Sequence, residues 1–309
     1  MGIRVPNGVF MRLTAAQTIA FQMSQSLGDS LLAMIVVNNL ARNGYRVVVF
    51  GDYIHALKDW FPSFEIHPTV TPERAHEVLG RFDVLLHAYP RNVVEGTRDW
   101  HPQCLVMDEW PTFRQTRNMV EIHVDICQKD LGLADVVPDN GLVAPAHLRH
   151  RVHSKRVVIH PTASLRKKMW LPKRFLALAL RLRNSNFAPE IVVAPSERGE
   201  WMHLQDHGLP VRTFGSLNEV AEWIHESAWF IGNDSGLAHL ASNVGVPAIS
   251  LMVRNKIARR WRPGWTSSRA VLPLPILPGK IAKDLLWQRF LPVSRVMRAF
   301  ADLRSATAR

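Results

Sequence analysis

Cysteine is scarce in this chain: its 309 residues hold two, Cys104 and Cys127. Their spacing is not that of a metal knuckle, so neither a disulfide scaffold nor a cysteine-bound metal site is supported, and two free thiols in a reducing compartment are expected. No run of 18 or more apolar residues occurs, which argues against a membrane-spanning helix. The N-terminus also lacks the charged, apolar and small-residue order of a secretory signal, so a cytoplasmic place of action is expected. Absent as well are G-x-G-x-x-G, the Walker pattern and any D-x-D. Support is thereby removed for a hydride-transfer enzyme, for a P-loop kinase, and for one common way of chelating a metal on a nucleotide diphosphate.

Acidic side chains become rare towards the end of the chain. Residues 254–309 carry thirteen Lys or Arg and two Asp or Glu, whereas the preceding 253 carry 25 and 24. The formal net charge of +12 is thus concentrated in the last sixth, where Trp261, Trp265 and Trp287 are interspersed. Such a segment suits an anionic bilayer, an acidic acceptor or nucleic acid. Its apolar residues fall at helical spacing: Ile281, Leu285, Leu286 and Phe290, then Val293, Val296, Met297 and Phe300 after Pro292. Lys283, Arg289, Arg295 and Arg298 lie beside them, so the plain reading is helices packed on the protein with a solvated basic face that is also available to a membrane. No nucleic-acid recognition motif accompanies the charge, and nucleic acid is not an expected partner.

What the chain does have is a globular composition, 47% hydrophobic, and length enough for two domains. Strand-like runs at 18–23, 47–50, 84–87 and 105–107 alternate with helical patterns at 30–41 and 73–80. The rhythm restarts with strands at 156–159, 190–193, 229–231 and 248–252 and helices at 173–183, 198–207 and 217–226. Alternation of this kind implies right-handed crossovers and parallel sheets. The intervening stretch 136–155 carries Pro138, Asp139, Asn140, Gly141 and Pro145 and then turns basic and histidine-bearing, and reads as a linker between domains 1–150 and 151–309. The expected architecture is α/β: two facing Rossmann-like domains with parallel sheets and a central cleft, the terminal helices being free to pack back on the first domain. Open sheets of this type bind ligands beyond their carboxyl ends.

Chemistry concentrates at those ends. Phe230-Ile231-Gly232-Asn233-Asp234-Ser235-Gly236-Leu237-Ala238-His239 reads as a buried strand breaking into a helix at a phosphate-sized gap. Asp234 or Ser235 can cap that helix, its first amides point outward with the positive end of the dipole, and Gly236 lets a ligand oxygen approach. His239, three residues past Gly236, falls on the same helix face and can donate to a bound anion. A capped helix with a core histidine is the competing structural reading. Arg166-Lys167-Lys168-Met169-Trp170-Leu171-Pro172 follows the first strand of the second half; Lys168, beside Trp170, is the candidate anion ligand, and Arg166 and Lys167 read as solvated. Glu197, after the next strand, can accept both hydroxyls of a ribose. In the first half Ser26-Leu27-Gly28-Asp29-Ser30 joins strand to helix, and Asp29 is either a cap or a base with its pKa set by burial.

Together these segments resemble the family 9 glycosyltransferases, the ADP-heptose:lipopolysaccharide heptosyltransferases. Gly28-Asp29 matches a Gly-Asp before the first helix; Lys168-Met169-Trp170, with Leu171 inserted before Pro172, fits a Lys-x-Trp-Pro segment; Glu197 matches a ribose-binding glutamate. Asp234-Ser235-Gly236-Leu237-Ala238-His239 matches an Asp-Thr-Gly-x-x-His diphosphate turn, and Gly245 to Leu251 fits the closing strand. The likeness runs from about Lys155 to Met252. Where the family usually has a Gly-Pro-Thr-like turn, this chain has Met252-Val253-Arg254-Asn255-Lys256, which bears on the donor sugar. The resemblance implies a GT-B fold and inverting transfer of heptose from ADP-heptose to a lipopolysaccharide-core or related lipid-linked glycan acceptor at the inner face of the cytoplasmic membrane. Asp29 would be the base; Lys168, His239 and the amides of Ser235 and Gly236 would be fixed positive groups on the leaving diphosphate, with Asp234 and Glu197 completing the donor site and no metal or other cofactor. A GT-B transferase using another nucleotide sugar, or a non-catalytic nucleotide-binding member, keeps the same motifs.

Overall fold

The computed structural model describes residues 3–4, 10–11, 13–14, 16–89, 94, 96–275 and 286–307. Of the basic terminal pattern, Ile281, Lys283 and Leu285 lie outside the described residues. The chain divides into two compact units, Met1–Pro145 and Ala146–Arg309.

The first unit opens with an antiparallel pair, β1 (Ile3–Arg4) and β2 (Phe10–Met11). A five-stranded parallel sheet follows: β3 (Thr18–Gln22), β4 (Arg46–Phe50), β5 (Glu65–His67), β6 (Val84–His87) and β7 (Cys104–Val106), side by side as β5-β4-β3-β6-β7. Its helices are α1 (Leu27–Arg42), α2 (Asp52–His55), α3 (Pro72–Leu79), α4 (Thr97–Trp100) and α5 (Met119–Asp125). Ala20, Val48, Phe50 and Leu85 pack one sheet face against Ala75 and Leu79 of α3. Helix α1 is buried on nearly every side and packs against β4 and α5, as its almost continuous apolar run requires. It starts at Leu27, three residues before the expected 30, because Ser26 takes the extended conformation of a cap (φ −129°, ψ 129°).

Part of the expected linker is fastened to this unit by asparagines. Asn39, wholly buried, donates Nδ2 to Val137 O (2.8 Å) and accepts from Val137 N (2.8 Å); Asn140 Nδ2 donates to Leu31 O (3.0 Å). Asn43 holds the backbone of Ala134 and Asp135 in the same way.

The second unit carries a six-stranded parallel sheet: β8 (His153–His160), β9 (Ala188–Val192), β10 (Val211–Arg212), β11 (Ser227–Asn233), β12 (Ala248–Leu251) and β13 (Ser268–Val271), ordered β10-β9-β8-β11-β12-β13. Its helices include α6 (Pro172–Asn184), α7 (Arg198–Trp201), α8 (Leu217–His225), α9 (Gly236–Asn243), α10 (Asn255–Trp261) and α11 (Val293–Thr307). The helix expected over 198–207 shortens to α7 and closes as a 3-10 turn over Met202–His207, a common way for a short helix to end. Val296, Phe300 and Leu303 of α11 join the core formed by Val157, Leu182 and Trp229. The terminal helix is therefore part of this unit, with Arg295 and Arg298 left exposed. Among the described residues no helix is long and apolar enough to cross a membrane.

Both sheets are doubly wound, so each has a point where the chain reverses direction across the strand order: β3 beside β6, and β8 beside β11. Loops leaving two such strands diverge and open a crevice at their carboxyl ends.

Candidate functional site

In the second unit the crevice forms between the loops after β8 and β11. Gly232 lies opposite His160 in the paired strands, and a Cβ there would come within 2.9 Å of the His160 carbonyl oxygen, so glycine permits the close approach. Asn233, wholly buried, ends β11 and staples the two loops: Nδ2 donates to Pro161 O at 2.6 Å and Oδ1 accepts from Trp170 N at 2.9 Å. From the other side Trp287 Nε1 donates to Lys167 O (2.8 Å), Gln288 Nε2 to Met169 O (2.9 Å), and Trp170 Nε1 to Leu291 O (3.0 Å). Trp287, one of the tryptophans interspersed in the basic terminal segment, is fully buried and holds the lysine loop. Asn233→Ala should strand two buried backbone groups and lower the unfolding free energy by about 2–5 kcal/mol, measured by urea denaturation of the full chain.

That scaffold presents Lys168, from the 3-10 turn Arg166–Lys168, to Asp234. The ammonium donates to Asp234 Oδ2 at 2.9 Å, with the Lys168 side chain 34% exposed and that of Asp234 13%. Ser235 occupies the N-cap position of α9 (φ −146°, ψ 164°), yet its side chain makes no capping bond. Its hydroxyl meets His160 Nδ1 at 3.1 Å instead. The expected side-chain cap is thus missing, because both candidate side chains are engaged elsewhere. In consequence the amides of Ser235, Gly236 and Leu237 donate to no acceptor among the described residues, which is the arrangement an anion at a helix N-terminus uses.

His239 lies one turn into α9 and is 5% exposed. Its Nδ1 is buried with no hydrogen-bond partner among the described residues. Burial pushes its pKa down to about 4, against the pull of the Asp234 carboxylate. The ring is therefore neutral near pH 7 and can donate one N–H; it is not one of the fixed positive groups it was expected to be.

Glu197 is bound into its own turn. Its Oε2 accepts from Ala194 N and from Thr162 Oγ1, both at 3.0 Å. Thr162 Oγ1 in turn lies 3.0 Å from His160 Nε2. Glu197, Thr162, His160 and Ser235 form one continuous hydrogen-bonded chain that connects the candidate ribose group to the anion loop.

In the first unit Asp29 sits in the first turn of α1, from the loop after β3, and Tyr89 lies just past β6, across the crevice from it. Tyr89 OH donates to Asp29 Oδ1 at 3.0 Å, and Ser24 Oγ lies 3.4 Å from Oδ2. The loop itself is braced, Ser26 N donating to Ser24 Oγ (3.1 Å) and Ser30 Oγ to Ser24 O (2.8 Å). These two partners of Asp29 are side-chain hydroxyls.

Lys168, Asp234, Ser235, Gly236 and His239 are thus brought together in the second unit, with Glu197 joined through two intermediaries; Asp29 belongs to the first unit. His160, Thr162, Asn233 and Tyr89 carry no role in the reading of the sequence. Two signals were available: a histidine ending a strand just before Pro161, and an asparagine directly after the apolar run from Ala228 to Ile231 and Gly232.

The model of the family described as glycosyltransferase family 9 (heptosyltransferase) matches residues 89–273, more than half of the chain. The chain belongs to glycosyltransferase family 9. Lys168, Glu197 and the turn from Asp234 to His239 lie inside the matched span, and Asp29 precedes it. No curated protein matches this family 9 glycosyltransferase. Among solved structures it is similar to a family 9 glycosyl transferase from Veillonella parvula (16% identity, TM-score 0.72, covering 95% of this chain and 98% of that one). It is also similar to the E. coli ADP-heptose LPS heptosyltransferase II (13%, TM-score 0.71, 94% and 100%) and to the E. coli heptosyltransferase WaaC with ADP (12%, TM-score 0.65, 93% and 99%). Identities this low speak to fold: this family 9 glycosyltransferase shares the GT-B fold of the heptosyltransferases over nearly its whole length.

Proposed function

We propose that the protein is an inverting, metal-independent heptosyltransferase that moves heptose from ADP-heptose to a sugar hydroxyl of the lipopolysaccharide core or a related lipid-linked glycan. The observation that carries this reading is the anion site of the second unit: three unengaged amides at the start of α9 beside the Lys168–Asp234 pair and the His239 ring. A diphosphate leaving group gains charge as the glycosidic bond breaks, and preformed N–H groups and an ammonium answer that charge without reorganising. Glu197 Oε1 is the carboxylate oxygen left for ribose hydroxyls. Asp29 takes the proton of the acceptor hydroxyl as its oxygen attacks the anomeric carbon, the new bond forming as the bond to ADP breaks. Two of the structural relatives are named for ADP-heptose or were solved with ADP, which agrees with this donor.

The acceptor is assigned to the first unit, and the exposed Arg295 and Arg298 on α11 to the anionic cytoplasmic leaflet or to the phosphates of the acceptor. A second reading, another nucleotide sugar, is favoured by one feature: Arg254 stands at the N-cap of α10 (φ −144°, ψ 149°), in the stretch where the family usually has its Gly-Pro-Thr-like turn.

The deciding experiment incubates the purified chain with ADP-heptose and truncated core lipid and follows the glycosylated product by mass spectrometry, with UDP- and GDP-sugars as alternative donors. Product from ADP-heptose alone supports the assignment; product from another donor only would replace it by the second reading. Lys168→Ala should weaken ADP binding by about ten- to a hundredfold, the loss of one charge-assisted contact, measured by calorimetry.

A further inference from the structure

His160 ends β8, is 8% exposed, and has no part in the mechanism above. Both ring nitrogens are nonetheless engaged, Nε2 with Thr162 Oγ1 at 3.0 Å and Nδ1 with Ser235 Oγ at 3.1 Å. Burial holds its pKa down at about 4, so the ring is neutral and carries one N–H. Which nitrogen bears that hydrogen is fixed by the far end of the chain. A carboxylate only accepts, so Thr162 must give its proton to Glu197 Oε2. The Thr162 oxygen then accepts from Nε2–H, Nδ1 is left as an acceptor, and Ser235 must donate to it.

We propose that His160 is a positioning residue of the donor site: with Thr162 it forms a wire through which the Glu197 carboxylate sets the direction of the Ser235 hydroxyl. The consequence reaches the anion loop. With its proton committed to His160, Ser235 Oγ turns lone pairs outward and disfavours an anionic oxygen beside it. The anion is thereby directed to the amides of Ser235, Gly236 and Leu237. At the other end, a ribose hydroxyl that donates to Glu197 Oε1 draws charge away from the Oε2 that accepts from Thr162. Contacts at the two ends of a nucleoside diphosphate are therefore coupled through the protein, as groups in one polarised network are. The nucleotide part of this inference rests on the donor reading above; the tautomer does not.

The test uses the full chain labelled with 15N-histidine, the His160 signals being identified by their loss in His160→Asn. In the protein without nucleotide, His160 is expected as the Nε2–H tautomer, and Thr162→Val should abolish that preference. ADP affinity is then measured by calorimetry. His160→Phe and Thr162→Val should each weaken ADP by about tenfold, and the double variant should be no weaker than the worse single one. His160→Asn, which keeps an acceptor near the place of Nδ1, should recover most of the loss seen with phenylalanine. An Nδ1–H tautomer in the wild type, or losses that simply add, would overturn the wire. If the tautomer is found as stated while wild type binds no ADP, the wire stands and the donor reading falls. Thermal melts identify any variant that has failed to fold, and the wild-type tautomer needs no variant.

Discussion

Asp29→Asn is expected to slow sugar transfer by about 10²–10⁴-fold, the range for loss of a general base, while ADP affinity stays within a few-fold. Asparagine keeps the size of the side chain and an oxygen that can accept from Tyr89 OH, which lies 3.0 Å from Asp29 Oδ1. What it removes is basicity. Asp29 also stands in the first turn of α1, where a carboxylate complements the helix dipole; neutralising it costs about 0.3–1 kcal/mol of stability, too little to unfold the unit. The loss should therefore appear in kcat with little change in the apparent KM for the donor. Transfer retained within about tenfold would remove Asp29 from the chemistry and leave it a structural residue of the loop after β3. Tyr89→Phe is the companion variant. It deletes one donor to the carboxylate while keeping its basicity, so kcat should fall far less than in Asp29→Asn.

The fold was legible in the sequence where the pattern is long and the period clear. Strands such as Val84–His87 and Ala248–Leu251, and the helices Pro172–Asn184 and Leu217–His225, lie within one or two residues of their expected limits. Three of the four edge strands of the parallel sheets were not visible: β5 has three residues, β10 has two, and β13 has half-exposed positions without clean alternation. Helix α5 and the fastening of residues 134–143 were hidden for another reason. Asn39, Asn43 and Asn140 have local turn propensity, and only the tertiary structure turns them into staples for a loop about a hundred residues away. At the site, charged and glycine positions announced themselves, since Lys168, Asp234 and Gly236 have few other uses at strand ends. His160 and Thr162 did not. Their meaning lies in a contact with Glu197 from the next strand's turn, 35 residues on from Thr162, and no spacing rule reaches that far.

Three buried histidines should make the protein lose stability on mild acidification. His87, His160 and His239 are 0%, 8% and 5% exposed, and burial pushes each pKa from 6.5 down to about 4. An unfolded chain binds these protons near pH 6.5; the folded one refuses them until about pH 4. Stability therefore rises with pH across that window. The full contribution is present above pH 6.5, falls as the medium is acidified, and is exhausted below about pH 4, where both states are protonated. Each ring contributes roughly 3 kcal/mol across the window. His160 and His239 belong to the second unit and His87 to the first, so the second should lose stability more steeply, and scanning calorimetry between pH 7 and pH 4.5 should show its melting transition moving down faster. His87 separates the effect from hydrogen-bond loss: both of its ring nitrogens are buried without a partner among the described residues, so His87→Leu removes a titrating group without breaking a bond. That variant should be as stable as the wild type at pH 7 or more so, and the first unit's transition should become nearly level with pH down to about 5. A wild-type melting temperature unchanged from pH 7 to pH 4.5 would mean that the three rings are hydrated in solution and titrate as ordinary histidines.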